Sequence, residues 1–273
     1  MVFKSETMNI NFKDSVAFLT FKELEKYSFI KHGYSTRIGG VSRNEFKSLN
    51  LSFSVGDTSE NVSENYDIFC TCLGIQKNKL ALTSQVHKDT IMKVSKKDLN
   101  RNDFTQFEET DGLVTDETGI VLTTFHADCI AIYMIDVSKK VVGLAHAGWR
   151  GTVQNIAGKL ARKFVSEYNS SLSDIVCAIG PGIGSCCFEV SESLLEHFSD
   201  LNIQNTFIRS SKNDNKVYID LLEVNRGLLL KEGLKNENIF KSDVCTMCNH
   251  DLLFSHRFTE GKRGTNCAFI FID

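Results

Sequence analysis

The apolar residues of this chain fall into short runs for most of its length, and the period of those runs names the elements. Over residues 61–73, Val62, Tyr66, Phe69 and Leu73 lie near helical spacing, which predicts a helix. Residues 80–87 and 90–94 read as strands. Residues 120–125, 130–135 and 141–145 are β-branched and apolar and predict three more strands. The period then changes: Val153, Ile156, Ala157, Leu160 and Phe164 form the apolar stripe of an amphipathic helix. A strand is expected over 175–179, helices over 190–198 and 221–234, and a buried closing strand over 268–272. Residues up to about 56 are short apolar runs broken by turn residues, and 33–40 reads as a loop ending in Gly39-Gly40. Strands outnumber clean β-α-β alternations, so the expected class is α+β with mixed β-sheets, not a doubly wound sheet.

Composition narrows the reading. The 273 residues are 42% hydrophobic, enough for a sizeable core. One proline, no Ser/Gly-rich linker and no repeat suggest one domain over 1–273. Basic and acidic residues number 31 and 34, with no basic stripe, which argues against a nucleic-acid surface and for a small-molecule substrate. The first residues lack the apolar stretch of a signal peptide, and no run approaches the ~20 residues of a membrane span, so a soluble, cytoplasmic protein is expected.

In such a compartment nine cysteines are not a disulfide framework. They are buried fillers, metal ligands or nucleophiles. Cys70, Cys72, Cys177 and Cys267 sit in apolar runs and read as filler. Cys245-Thr246-Met247-Cys248 is a CxxC without a second pair of that form. His250 and His256 lie near it, so packed thiols and a Cys/Cys/His cluster are both open. Of adjacent Cys186 and Cys187, one is expected to face the core and one the site.

His87, Cys129 and His146 stand at the expected ends of strands, where loops build sites on a rigid frame. Two imidazoles and a thiolate are a zinc donor set, and three ligands leave the fourth position open, as in catalytic sites. Their spacings match no short zinc pattern, and on residue type and position alone a buried cysteine with two capped histidines is the favoured reading. Gly180-Pro181-Gly182-Ile183-Gly184 after a strand is either a tight turn or an anion-binding turn. Arg37, beside Gly39-Gly40, and Arg150, opening a helix, are candidate anion binders or plain surface arginines.

At these residues the sequence resembles a known family. The segments are His32 to Ser42 (HGYSTRIGGVS), Ser48-Leu49-Asn50-Leu51, Val55-Gly56-Asp57, Gln85-Val86-His87, Thr110-Asp111-Gly112, Ala127-Asp128-Cys129 and Ala145 to Gly151 (AHAGWRG). Ile179-Gly180-Pro181, Cys187-Phe188-Glu189-Val190 and Arg257 follow. Together they resemble the laccase-domain, or multicopper polyphenol oxidase, family, many of whose members are described as zinc purine nucleoside phosphorylases. Another member edits peptidoglycan precursors.

The resemblance implies mixed β-sheets packed together and covered by helices, in a fold related to the cysteine hydrolases. It implies zinc on His87, Cys129 and His146, with copper as the metal of the older name. It implies catalytic roles for Asp128 and Arg37, and substrate contacts from Arg37, Arg150, Asn50 and Glu189. The expected reactions are phosphorolysis of adenosine, inosine and methylthioadenosine, and adenosine deamination. A purine nucleoside and phosphate are the expected partners, and the chain is a monomer or homodimer. Rival readings are a peptidoglycan-editing amidase, a metal-free Cys129/His146 hydrolase, and a non-catalytic module with structural zinc. Copper oxidase chemistry is disfavoured, because a multicopper oxidase needs more than the seven histidines present. The family's C-terminal Ser-x-Arg-Arg-Asp is here Ser255-His256-Arg257-Phe258-Thr259, so any role of the second arginine or the acid does not transfer.

Overall fold

In the computed structural model, which describes residues 3–204, 206–210 and 215–273, strict alternation within fully buried strands builds four layers. In Ile130–Asp136, Ile130, Ile132 and Met134 point to one core, and Ala131, Tyr133 and Ile135 to another. In Asn266–Ile272, Cys267, Phe269 and Phe271 join a third core, while Ala268, Ile270 and Ile272 share the second. A strand covered on both faces reads as a continuous apolar run, which is why these segments stand out in the sequence.

Two sheets carry these strands. One has seven, in the order Met8–Lys13, Val16–Phe21, Ile30–Ser35, Asn266–Ile272, Val121–His126, Leu80–Thr83 and Thr105–Phe107. The other has six, in the order Ile239–Lys241, Ile175–Ile179, Ile130–Asp136, Val141–Ala147, Gly112–Thr115 and Ile91–Lys93. Both mix parallel and antiparallel pairs. The sheets face each other across the second core. Helix Ser59–Leu73 covers the outer face of the first sheet, and helices Ile156–Tyr168 and Leu221–Glu232 that of the second. A small sheet of Glu189–Ser191, Lys216–Ile219 and Phe207–Arg209 stands beside them. The α+β class with mixed, helix-covered sheets is therefore what the chain adopts. Among the described residues, no helix is long and apolar enough to cross a membrane.

Four expectations are corrected. The strand over 80–87 ends at Thr83, and Ser84 to His87 form a loop. The segment 33–40 is strand up to Ser35. The helix around Val153–Phe164 is two helices, Trp149–Val153 and Ile156–Tyr168. They are separated at Asn155, which takes a left-handed conformation (φ 58°) and caps the second with its side chain on the Gly158 amide. The apolar spacing runs through this break because both helices pack on the same core. Residues 190–198 are not an α-helix but the end of strand Glu189–Ser191 followed by a 3-10 helix, Glu192–Leu201.

Candidate metal centre and active-site cleft

The strand Val121–His126 of one sheet leads through Ala127, Asp128 and Cys129 into Ile130–Asp136 of the other. This short connection bends sharply at Asp128, whose φ is 86°. Cys129 therefore sits where the ends of the two sheets meet. His146 lies inside the neighbouring strand Val141–Ala147, paired with Ala131, rather than beyond the strand's end. The third residue, His87, arrives from the loop after Leu80–Thr83. The ligand-capable atoms of His87, Cys129 and His146 all lie within 4.8 Å of one another.

One carboxylate braces this arrangement. Asp111 is fully buried and accepts from the amides of Val86, His87 and Lys88 at 3.1, 3.1 and 3.0 Å. These bonds hold the His87 loop, in which His87 itself is left-handed (φ 58°). The same carboxylate lies 2.9 Å from His146 Nδ1. An N–H donated there leaves Nε2 for the cluster, the orientation that second-sphere carboxylates impose on metal-bound histidines. Gln85 adds a second brace. Its side chain accepts from the Phe125 amide at 2.6 Å and donates to the Phe125 carbonyl at 2.8 Å, continuing the sheet beyond Thr83.

Electrostatics favour ionised ligands. Desolvation would push the Cys129 thiol up, but His146 and His87 beside it hold it down at about 6. Burial would lower His146, yet the Cys129 thiolate and Asp111 raise it to about 9. In metal-free protein, alkylation of Cys129 by iodoacetamide is thus expected to inflect near pH 6, falling off below it. An ordinary thiol inflects near ~8.5. Peptide mass mapping across pH checks this, and an inflection above pH 8 would contradict it.

The donor set also fits a metal sterically and in number. A Cβ on Gly148 would lie 3.0 Å from Cys129 Sγ and 3.1 Å from His87 Cδ2, so only glycine leaves the cluster undisturbed. Gly148→Ala should cost about tenfold or more in metal affinity, read by competition with a chromophoric chelator. His126 and Cys187, two further side chains able to donate, are engaged elsewhere. His126 has Thr124 Oγ1 at 2.7 Å from Nε2 and the Cys129 carbonyl at 3.1 Å from Nδ1. Burial and the His146 charge keep its ring neutral. Cys187 turns to Cys248. Among the described residues the group thus offers three ligand-capable side chains, the number that a catalytic zinc site uses.

The cluster lies in a cleft of about 520 Å³. This is within the range of about 300–1,000 Å³ typical of small-molecule sites. Phe53, Phe125, Trp149 and Phe188 give it aromatic walls, and Arg257 and Arg263 give it positive charge. Asp128 lines it too. Its Oδ1 accepts from the Thr246 hydroxyl and its Oδ2 from the Arg257 amide, both at 2.6 Å.

The other expected contact residues sit behind or beside this wall. Arg37 donates to the Lys47 and His250 carbonyls at 2.7 and 2.9 Å and lies over the Phe254 ring. Arg150 stacks on Trp149, 4.3 Å from the ring centroid. Asn50 is fully buried, bonding Asp57, Ser52 and the Thr265 amide. The Glu189 carbonyl accepts from Arg257 Nη1 at 2.7 Å. None of the four is in the cleft lining. Three amides of the Gly180 to Gly184 turn are engaged: Gly180, Ile183 and Gly184 donate to the Ala131 carbonyl, the Asp128 carbonyl and Cys245 Sγ. It is a packed turn rather than an anion cradle. Asp111 and Arg263 were not singled out from the sequence. The Thr110-Asp111-Gly112 segment was the available signal for the first, and the second had none.

Residues 31–273 match the model of the multi-copper polyphenol oxidoreductase laccases. The chain belongs to that family. Within it, purine nucleoside phosphorylase YlmD of Geobacillus stearothermophilus is 38% identical over 87% of this chain and 88% of that protein. YlmD of Bacillus subtilis is 32% identical over 87% of each. Human purine nucleoside phosphorylase LACC1 is a longer relative, 32% identical over 88% of this chain and 55% of its own length. The crystal structure of the Geobacillus YlmD superposes on this laccase-family chain with a TM-score of 0.90, 34% identity, and coverage of 96% of this chain and 98% of that one.

Proposed function

We propose that this chain is a zinc-dependent purine nucleoside phosphorylase, acting on adenosine, inosine and methylthioadenosine, and that the same cleft deaminates adenosine. The observation that carries this is the three-ligand cluster of His87, Cys129 and His146 with an open position in a cleft of nucleoside size. The names of the relatives point to the reaction. His87, Cys129 and His146 would hold the metal, which when bound supplies Lewis acidity to a substrate atom.

The chain's own residues have definable work. In phosphorolysis a phosphate oxygen bonds to C1′ while the C1′–N9 bond breaks, and the electron pair leaves with the purine. Arg257 and Arg263 offer charge to the phosphate. Arg263 Nη1 is bound to Thr265 Oγ1, but its Nε is buried with no partner among the described residues, a donor awaiting an acceptor. Positive charge grows on the sugar in the transition state. Asp128, fixed by two hydrogen bonds, sets an acidic group in the cleft against it. The aromatic walls suit the purine.

A second reading has its own observation. Asp111, His146 and Cys129 are ordered like the acid, base and nucleophile of a cysteine hydrolase, and the thiol is already lowered. The test is metal content with adenosine and inosine turnover, each with and without phosphate, before and after chelation. Zinc in the His/Cys set and phosphate-dependent release of free base, lost on chelation, support the phosphorylase. Hypoxanthine ribonucleoside formed from adenosine reports the deaminase arm. Activity that survives chelation but not alkylation of Cys129 would transfer the assignment to the hydrolase.

A further inference from the structure

The CxxC at Cys245–Cys248 lacks a sequence partner of the same form, yet the fold supplies one. Cys186 and Cys187 are adjacent, and neighbouring side chains ordinarily diverge. Here the turn from Gly184, in which the Cys187 and Phe188 amides both donate to the Gly184 carbonyl, swings both thiols to one side. Cys186 Sγ lies 3.6 Å and Cys187 Sγ 3.4 Å from Cys248 Sγ. All four sulfurs, Cys245 included, lie within 4.8 Å of one another. Cys187 is half-buried against the first core, as expected, but exposed Cys186 does not line the cleft, so the site-facing half of the expectation is corrected. His250 does not join the group: its Nδ1 is 3.0 Å from the Met247 carbonyl and its ring stacks on Phe258.

From this convergence we infer a second metal site, a structural zinc held by Cys186, Cys187, Cys245 and Cys248. Zinc–sulfur bonds of about 2.3 Å place tetrahedral sulfurs about 3.8 Å apart, close to the separations here. A second observation points the same way. The amide of Gly184 donates to Cys245 Sγ at 3.2 Å. Backbone N–H groups aimed at a sulfur stabilise a thiolate ligand and fix its direction. Gly184 also leaves the room required, since a Cβ there would lie 3.1 Å from Cys186 Sγ and 3.3 Å from Cys245 Cβ. Four ligands close the coordination sphere, so this site is structural where the His87 set is open.

Its position gives it a job. A lone parallel bridge, Gly182 to Cys245, and the Thr246 amide on the Gly182 carbonyl are the backbone links between the two loops that bear the thiols. Thr246, between the paired cysteines, donates to Asp128. The metal would fasten the loop bearing Asp128's partner to the cleft wall.

The full chain, purified with zinc under reducing conditions, should carry two zinc equivalents. Cys186→Ser/Cys248→Ser should lose one and keep the other, and His87→Ala should show the complementary loss. Titrating His87→Ala with cobalt(II) should give the intense charge-transfer and visible bands of a tetrathiolate centre, which settles the matter even if the double serine variant does not fold. The outcome is independent of the nucleoside reading, because His87→Ala abolishes that activity and should leave these bands intact. A parent zinc content that Cys186→Ser/Cys248→Ser leaves unchanged, cobalt spectra without thiolate bands in His87→Ala, or a disulfide among the four cysteines in freshly reduced protein would overturn the inference.

Discussion

His146→Gln should strip the His/Cys site of its metal and lower kcat/KM for adenosine phosphorolysis about 1,000-fold, equivalent to about 4 kcal/mol of transition-state stabilisation. The imidazole serves two neighbours at once. Nδ1 faces Asp111 at 2.9 Å, and the ring's other edge faces Cys129. Glutamine can replace one of these contacts but not both in the same geometry. The substitution also removes the charge that holds the Cys129 thiol at about 6, so the alkylation inflection of metal-free protein should move upward. Metal content, steady-state kinetics and alkylation against pH read three consequences of one change. Retention of a full metal complement with unaltered kcat/KM would sink the site assignment.

Asp111→Ala should cost about 3–5 kcal/mol of stability, because it leaves four donors facing an empty buried volume. Three are the amides of Val86, His87 and Lys88, and the fourth is His146 Nδ1–H. For a chain of this size that corresponds to a fall in Tm of about 10 °C. Metal affinity should drop about 10–100-fold as well, since both histidines lose their support. The pH dependence has a defined sign. Burial opposes the Asp111 charge, but His146 and the amides outweigh it and hold the carboxyl below its ordinary 3.8. Its contribution is therefore complete above about pH 4 and fades as pH falls through the lowered value. Calorimetry of parent and variant at neutral and acid pH checks both claims, and the gap in Tm should narrow on acidification. A variant with parental Tm and metal affinity would show that Asp111 braces nothing.

The central strands were readable because burial on both faces leaves an uninterrupted apolar run, as in Ile130–Asp136 and Ile175–Ile179. The short strands Thr105–Phe107, Phe207–Arg209 and Lys216–Ile219 were not, being too brief to set a period. The three candidate ligands could be named from residue type and resemblance, but their convergence depends on sheet pairing that no local pattern encodes. Asp111 stands in a segment of the family resemblance, but its bracing role is not legible there because its work is done on the backbone of a distant loop. The convergence of the four thiols was not legible for a similar reason: Cys186 and Cys187 lie some sixty residues upstream of Cys248 and meet it only through tertiary packing. Arg37 drew attention through its glycine-rich neighbourhood, whereas the cations lining the cleft are Arg257 and Arg263.

His87 follows a strand of the first sheet, His146 belongs to the second, and Cys129 sits on the chain that crosses between them. An ion at this point is therefore a seam fastening as well as a reagent. Parting the sheets at this end means surrendering the ion, so its binding energy is spent against separation there and nowhere else along the interface. The far ends of the sheets are held by side-chain packing and by the chain that crosses from Thr115 to Val121. Loosening of the molecule should accordingly begin away from the seam when the ion is bound and lose that polarity when it is removed.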